Sequence, residues 1–376
     1  MSVAPAVYVH IPFCETKCPY CDFNSFAVDG RDVDGYLDAL LLEFEARGMP
    51  TSPSTVFIGG GTPTVLHPEQ IARYLEPIRA RVGGTSGVEF TVEANPGSLT
   101  ADKLAVLREC GVNRISIGAQ SIFDRFLKQL GRVHRAADID RAVQLCREAG
   151  IQRISLDLIF GIPGQTLREW LTTLERALAW KVEHLSCYAL TFEPGTEFHA
   201  RRRAGNIAAT PEGLELAMFR LTERVLRGAG MPRYEISNYA RAGRSCQHNL
   251  NYWRNGSYVG FGAGAHSYVD GVRQGNERHL GRYATAICQR GDAAVFRESL
   301  SGLDAARETL VFGLRTTEGV DLRRVGERFG VDLEREVRSD VDRLSAGRFV
   351  ELHEGRLRLA RRGWRVADEI AATFLA

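Results

Sequence analysis

The sequence predicts an α/β protein: a partial, open barrel of parallel strands with helices packed outside, then a helical, winged-helix-like module. Three observations predict it. Six short β-rich runs, VYVHIPF, TVFIGGG, EFTVEANP, RISIGAQS, RISLDLIF and HLSCYAL, punctuate the first half of the 376-residue chain. Amphipathic stretches at helical spacing lie between them, and six such units are too few to close an eight-fold barrel. From about Leu303 the pattern changes to short helices, a hairpin and a closing helix.

The elements follow in order. VYVHIPF runs straight into the cysteine-rich CETKCPYC. Leu37, Leu40, Leu41 and Phe44 share one face of the first helix; Ala142, Leu145 and Cys146, and later Leu171, Leu174 and Leu178, do the same further on. Most strand runs end in Gly, Pro or a polar residue, and Cys14, Gly60, Glu93, Gln120 and Asp157 all fall just after or at a strand end. That is the C-terminal rim, where parallel α/β folds place their chemistry. The barrel is expected over residues 1–230, its last helix running from Leu214 to Leu226. Residues 231–300 are expected to form a mixed connecting segment, aromatic and rich in Asn and Gly, carrying HNLNYW. Residues 301–376 form the winged-helix-like module, with a hairpin from Phe349 to Leu359.

Composition limits the function classes. Forty-four per cent apolar and 25% charged residues make an ordinary globular composition, and a net charge of +2 points to neither nucleic acid nor an anionic membrane. Only Lys17, Lys103, Lys128 and Lys181 are lysines among the 48 basic residues, so arginine is spread over the chain rather than gathered into a phosphate track. Residues 301–376 hold 14 arginines against 14 acidic residues, which argues against a DNA-reading winged helix and for a structural or partner-docking lid over the barrel. The N-terminus lacks the charge and apolar run of a signal peptide, and no stretch approaches the roughly 18–20 apolar residues that span a bilayer. A cytoplasmic location is expected, where eight cysteines are not a disulfide framework. Three of them crowd together; Cys110, Cys146, Cys187, Cys246 and Cys288 lie scattered, as small core residues do.

Cys14, Cys18 and Cys21 give the spacing C-x-x-x-C-x-x-C. Three thiolates on one loop hold three irons of a [4Fe–4S] cubane and leave the fourth without a protein ligand. The amino and carboxylate groups of S-adenosylmethionine (SAM) can chelate such an open iron, and an electron from the cluster can then break the sulfonium C–S bond. Tyr20 suits a face against adenine. A structural zinc site is the alternative; it needs a fourth ligand, for which His10 is the nearest candidate. For GGGTPT the rival reading is a phosphate loop, but no GK[ST] follows.

With YVHIPFC, GGGTPT, VEANP, IGAQS, LGRVH, LDLIFGIPGQT, YALTFEPGT and HNLNYW in order, the chain resembles the radical SAM family of oxygen-independent coproporphyrinogen III oxidases, and within it the haem-chaperone branch. The resemblance implies a partial (β/α)6 barrel, a [4Fe–4S] cluster on Cys14, Cys18 and Cys21, and SAM touched by Tyr8, Gly60, Gly61, Thr62 and Glu93. Gln120, Arg132, Asp157 and Ala189 match positions that hold a second SAM in the oxidase branch. It also implies haem as cargo, an acceptor apoprotein and a low-potential electron donor of flavodoxin or ferredoxin type.

Three features separate the branches. The oxidase resembles C-x-x-x-C-x-x-C-x-C, whereas this chain has Phe23 at the last position. With Cys14 so near the start, the N-terminal arm that helps build the oxidase substrate site is not expected. HNLNYW matches the HNxxYW motif of the haem-binding branch, which makes His248 the expected axial ligand, with Tyr252 and Trp253 as flat faces for a porphyrin. Cys246 reads as a buried thiol, and His266 in GFGAGAHSY as a residue near the SAM pocket or part of a tight turn. The expected function is a haem chaperone that carries a cluster and SAM. The alternatives are coproporphyrinogen III oxidation or another radical SAM reaction on a tetrapyrrole, and a non-enzymatic winged-helix regulator.

Overall fold

The computed structural model describes residues 4–82 and 87–375. All six predicted runs form strands: β1 (Ala6–Ile11), β2 (Thr55–Gly60), β3 (Glu89–Ala94), β4 (Arg114–Gln120), β5 (Arg153–Phe160) and β6 (His184–Ala189). They pair in parallel in that order. The helices between them are α1 (Val33–Arg47), α2 (Pro68–Val82), α3 (Ala101–Glu109), α4 (Ala136–Glu148) and α5 (Leu167–Ala179), with α6 (Glu212–Gly228) after β6. Their starts follow from sequence. Asp32 caps α1 by accepting the Gly35 N–H at 2.8 Å, and Thr166 with Glu169 forms a capping box on α5.

The alternating strand pattern sorts side chains onto two faces. One row is apolar and fully buried beneath the helices: Val7, Val9 and Ile11 on β1, Val56 and Ile58 on β2, Ile115 and Ile117 on β4. Burying each of these contributes about 1.5–3 kcal/mol, so this face fixes the strand register. The other row faces the lumen and is polar or aromatic, and its members touch across strands. Ser116 Oγ donates to Asp157 at 3.2 Å, Ser155 Oγ lies 2.7 Å from His184 Nδ1, and Tyr8 stacks 6.4 Å from Phe57.

The sheet is wider than the six units. Strand β7 (Asn238–Ala240) adds antiparallel to β6, and on the far side β8 (Tyr258–Phe261) pairs parallel with β1. Antiparallel β9 (His266–Val269), β10 (Val272–Asn276) and β11 (Ala294–Ser299) continue outward, giving the order β11-β10-β9-β8-β1-β2-β3-β4-β5-β6-β7. The segment expected to be merely connecting thus supplies four strands on this side, together with α7 (Gln247–Trp253) and α8 (Leu280–Arg290). Strand β8 leaves little signal because Gly260 interrupts it and Gly256, Gly262 and Gly264 flank it.

The C-terminal module has its own core, including Leu310, Leu322, Leu344, Leu357 and Phe374. It consists of α9 (Gly302–Leu314), β12 (Val320–Asp321), α10 (Leu322–Phe329), α11 (Arg338–Ala346), the hairpin β13 (Val350–His353) and β14 (Arg356–Leu359), and α12 (Ala367–Leu375). The small sheet runs β12-β14-β13, a winged-helix-like topology. Asn255 donates to Thr309 Oγ1 at 2.9 Å, and Arg328 to the Asn255 carbonyl at 3.0 Å. The Thr317 N–H donates to the Tyr234 carbonyl at 2.9 Å. These contacts lie beside α7, on the side where the strands begin, so the module does not form a lid over the cysteine rim. Among the described residues no helix is long and apolar enough to cross a membrane.

Candidate functional site

In six strands that are otherwise almost wholly buried, the half-open positions are few. They are Tyr8 on β1, Phe57 and Gly60 on β2, Glu93 on β3, Gly118 and Gln120 on β4, and Asp157 with the leading Arg153 on β5. On β6 they are Tyr188 and Ala189. Tyr8, Gly60, Glu93, Gln120, Asp157 and Ala189 are six of the residues expected to hold SAM; Tyr8, Gly60 and Glu93 line one cavity, and Asp157, expected just after a strand end, sits in the middle of β5.

The cysteine loop is fixed to that cleft. Cys14 follows β1, where Phe13–Cys14 pairs in parallel with Phe26–Ala27. Thr62 Oγ1 donates to Cys14 Sγ at 3.7 Å, while its N–H bonds the Phe13 carbonyl at 2.7 Å. Arg132 Nη1 lies 3.6 Å from Cys18 Sγ, and Cys21 Sγ lies 3.8 Å from Ser25 Oγ. All three thiols are partly open to solvent; burial pushes the Cys14 and Cys21 pKa values up, and neighbouring thiols add to that. Among the described residues no three or more His, Cys, Asp or Glu side chains, the three cysteines included, converge on a single metal-ion position. Both nitrogens of His10 are engaged elsewhere. Nε2 donates to the Asn24 carbonyl at 2.8 Å, and Nδ1 accepts from the Tyr8 hydroxyl at 2.9 Å. Burial lowers its pKa to about 4, so the ring is neutral.

Gly59, Gly60 and Gly61 are required by packing. A Cβ on Gly59 would meet Glu93 Oε2 at 2.7 Å, one on Gly60 the His10 ring at 2.3 Å, and one on Gly61 the Phe13 carbonyl oxygen at 2.5 Å. Close approach of protein to protein is thus one reason for these glycines, beside the close approach of a ligand that the sequence suggested for Gly60 and Gly61. Glu93 accepts the Gly60 N–H at 3.0 Å; burial, then repulsion from Asp157, pushes its pKa up to about 8. Asp157 accepts from Ser116 and is likewise raised by burial.

Arg132 gathers a second polar group. It donates to the Gly118 carbonyl at 2.9 Å and to Asn95 Oδ1. A Cβ at Gly118 would lie 2.9 Å from Gln120 Nε2 and 3.2 Å from Arg132 Nη2, so these polar side chains converge over the glycine. A register shift in β4 and a left-handed φ of 60° at Gln120 bring its side chain back towards Gly118 and Arg132. Arg132 Nε is buried and has no hydrogen-bond partner among the described residues. Asn95 was not expected here; its place in VEANP, two residues after Glu93 and directly after β3, is the signal that could have found it. Tyr20 packs 6.2 Å from Phe198, within an apolar group beside the cleft.

His248 lies at the other end of the lumen. It is 1% exposed, with Nδ1 2.8 Å from Thr55 Oγ1 and Nε2 2.9 Å from the Tyr252 hydroxyl. It stacks 5.1 Å from Phe57, and its N–H donates to Glu89 Oε1 at 3.1 Å. Burial, then Arg114, lowers its pKa to about 3. Thr55 and Glu89 open β2 and β3, so α7 packs where the strands begin, and both ring nitrogens of His248 lie within hydrogen-bond distance of protein hydroxyls. Cys246 is buried beside it, Sγ 3.4 Å from Glu89 Oε1, with burial raising its pKa to about 12. His266, in contrast, is exposed. It lines a cavity of about 520 Å³ with Tyr8, Gly60, Glu93, Tyr252, Phe23 and Arg278.

Comparison with known proteins adds family context. The profile of the radical SAM superfamily matches residues 8–177, and that of the HemN C-terminal domain matches residues 300–366. The chain is 37% identical to haem chaperone HemW of Bacillus subtilis over 98% of this chain and 99% of that protein. It is 42% identical to haem chaperone HemW of Escherichia coli over 70% of each chain. A mouse protein, mitochondrial radical S-adenosyl methionine domain-containing protein 1, is 37% identical over 85% of this chain and 75% of its own. Among solved structures, the coproporphyrinogen III oxidase HemN of Escherichia coli superposes with a TM-score of 0.86 over 99% of this chain and 90% of that one. At 23% identity it speaks for the fold alone.

Proposed function

The chain belongs to the HemW family of radical SAM proteins, and from that premise we propose that it binds haem and passes it to an acceptor apoprotein, with a [4Fe–4S] cluster on Cys14, Cys18 and Cys21 and SAM in the rim cleft. The observation that carries this reading is the coincidence of the half-open strand positions with Tyr8, Gly60, Glu93, Gln120, Asp157 and Ala189. Such a cleft directly beside three half-open thiols suits a ligand that must reach an iron. When bound, the cluster supplies an open iron and an electron.

The chain's own residues do the rest. Thr62 holds Cys14 beneath the rim through its hydroxyl, and Arg132 places a cation against Cys18. Glu93, held by the Gly60 N–H, presents a carboxyl oxygen to ribose hydroxyls. Tyr8 is oriented by its hydrogen bond to the neutral His10 ring. Gly61 lets β2 pack on the cysteine loop, and Gln120 and Arg132, which converge over Gly118, with Asp157 would take a second polar ligand. Phe23, 62% exposed, stands where the oxidase branch has a further cysteine, and favours the chaperone over coproporphyrinogen chemistry.

The test is anaerobic reconstitution of the wild type and of the Cys14→Ala/Cys18→Ala/Cys21→Ala variant, followed by iron, SAM and haem titration. The wild type should bind a cluster, SAM and about one haem, transfer haem to an apo-acceptor, and leave coproporphyrinogen III unconverted. The triple variant should lose cluster and SAM together. A variant that keeps its iron and sulfide defeats the ligand assignment, and robust decarboxylation by the wild type defeats the chaperone reading.

A further inference from the structure

The joint between the barrel and the C-terminal module gathers charge that the sequence leaves scattered. Arg233, 9% exposed, sits at its centre. Its guanidinium lies 4.2 Å from the ring centroid of Phe219 on α6 and 5.1 Å from that of Trp364 in the module, and Nη2 donates to the Tyr239 hydroxyl at 2.8 Å. Both aromatic residues face inward onto this one cation. The residues that follow them, Arg220 and Arg365, are exposed on the outside of the joint. Arg224 and Arg227 come at the i+4 and i+7 positions from Arg220 along α6, and Arg361 and Arg362 precede Arg365. All six arginines are exposed, and none forms an ion pair with the described residues. The carboxylates of α6 lie elsewhere: Glu212 and Glu215 are in its first turn, and Glu223 turns to Arg233 at 3.7 Å. Partial burial, then the like charges of Arg220, Arg361 and Arg362, lower the Arg365 pKa, so these four cations act directly on one another.

The module's half of this face has a fixed shape. A Cβ on the buried Gly363 would lie 2.0 Å from the Phe349 carbonyl oxygen, so the turn Gly363–Arg365 is pressed onto the hairpin. Arg362 donates to the Gly347 carbonyl at 3.3 Å and stacks 5.2 Å from the Phe349 ring. Like charges held together on rigid supports repel, and a negatively charged partner offsets that repulsion. Guanidinium groups grip carboxylates through paired donors, which suits a protein surface rich in Asp and Glu. No large apolar side chain of this face is exposed to enter a lipid layer or to stack on bases, because Arg233 occupies Phe219 and Trp364.

Position narrows the partner further. Tyr239 stands opposite Leu185, near the start of β6, so the joint lies at the end of the barrel where strands begin. That end also carries α7, whereas the cysteine loop is at the other. An electron donor must approach the cluster and is not served by this face. We propose that the arginine face docks an acidic surface of the acceptor apoprotein, an inference that rests on the function proposed above.

The test uses two designed four-helix haem-binding bundles as apo-acceptors, one Glu-rich and one Lys-rich at the surface. Haem-loaded wild type should transfer to the Glu-rich bundle about tenfold faster at low salt, and the preference should fade at high salt. Arg220→Glu/Arg224→Glu/Arg361→Glu/Arg365→Glu should abolish or invert it. Changing the same four residues to Gln should abolish it with an unchanged circular dichroism spectrum, which separates lost charge from lost fold. Reversals at exposed Arg323, Arg324, Arg335 and Arg338, which lie among Glu327, Glu334 and Glu336, should preserve it. Equal transfer to both bundles, or a preference that survives the first reversal, overturns the proposal. Labelled poly-L-glutamate tests the face apart from haem. If wild type passes haem to neither bundle, the function fails, and the face stands when wild type binds poly-L-glutamate and the reversal does not. Absence of that binding overturns the face, as does tighter binding of phosphatidylglycerol vesicles or single-stranded RNA.

Discussion

Glu93 offers a test of the cleft that needs no ligand. The folded protein raises this carboxyl to about 8, through burial first and Asp157 second, while the unfolded chain releases the proton near 4.5. Between those values the folded state binds more protons, so stability falls as pH rises through the window. At about 1.4 kcal/mol per pH unit the gap corresponds to about 4–5 kcal/mol. The side chain is half-open to the cleft, however, and water there offsets part of the cost, leaving about 2–3 kcal/mol. Glu93→Gln keeps the shape and the acceptor for the Gly60 N–H but has no proton to lose. Urea unfolding of the cluster-free wild type and variant from pH 5 to 8.5 should therefore give curves that diverge, the variant gaining about 2–3 kcal/mol over the wild type towards alkaline pH. Histidines buried neutral titrate on the acid side and cancel in the comparison. Parallel curves would refute the burial argument and with it the picture of Glu93 as a poised acceptor.

Three further outcomes follow from contacts already described. Gly61→Ala drives a Cβ to 2.5 Å from the Phe13 carbonyl and 2.9 Å from that of Ile11; it should cost about 1–3 kcal/mol in thermal unfolding and lower cluster occupancy. Wild-type loading and melting would contradict this. Arg132→Met removes the cation 3.6 Å from Cys18 Sγ, so the reconstituted cluster should become harder to reduce in a redox titration, whereas Cys110→Ala should leave the potential where it was. Acid should unfold the protein: His10 and His134 have folded pKa values near 4 against 6.5 unfolded, so stability is lost as pH drops from 6.5 towards 4. Circular dichroism showing undiminished stability at pH 4.5 would mean that these rings can take up protons in place.

The strands were legible because their buried faces are long runs of Val, Ile and Leu that only a parallel sheet accommodates. Gly60, Glu93 and Gln120 were legible too, because their strands end there, whereas Asp157 sits inside β5, which runs on to Phe160. Strand β8 was not: four residues among glycines read as a turn, and the pairing with β1 that makes them a strand comes from the other end of the chain. His248 shows the same limit in the site. Its motif is visible, yet its partners Thr55 and Glu89 lie far back in sequence, and only the fold reveals that they claim its ring nitrogen and its N–H. The three glycines of GGGTPT were visible as a need for close approach. What approaches them, Glu93, His10 and the Phe13 carbonyl, could be learned only from the packed structure.

The cysteine loop has few backbone bonds of its own and takes its shape from elsewhere. Lys17 Nζ bonds the carbonyls of Phe23 and Ser25 at 3.1 and 3.0 Å, His10 holds the Asn24 carbonyl, and Thr62 holds Cys14 from β2. Asn24 then ties the same loop to the Ala263 and Arg278 carbonyls on the opposite wall of the cavity. Asn24 therefore joins the loop directly to the turn that carries His266, through two hydrogen bonds and no intervening segment. Glu43 fixes the far side of that turn through Gly262, Asn276 and Tyr283, so the loop, the turn and helix α1 form one packed unit whose shape no single element sets.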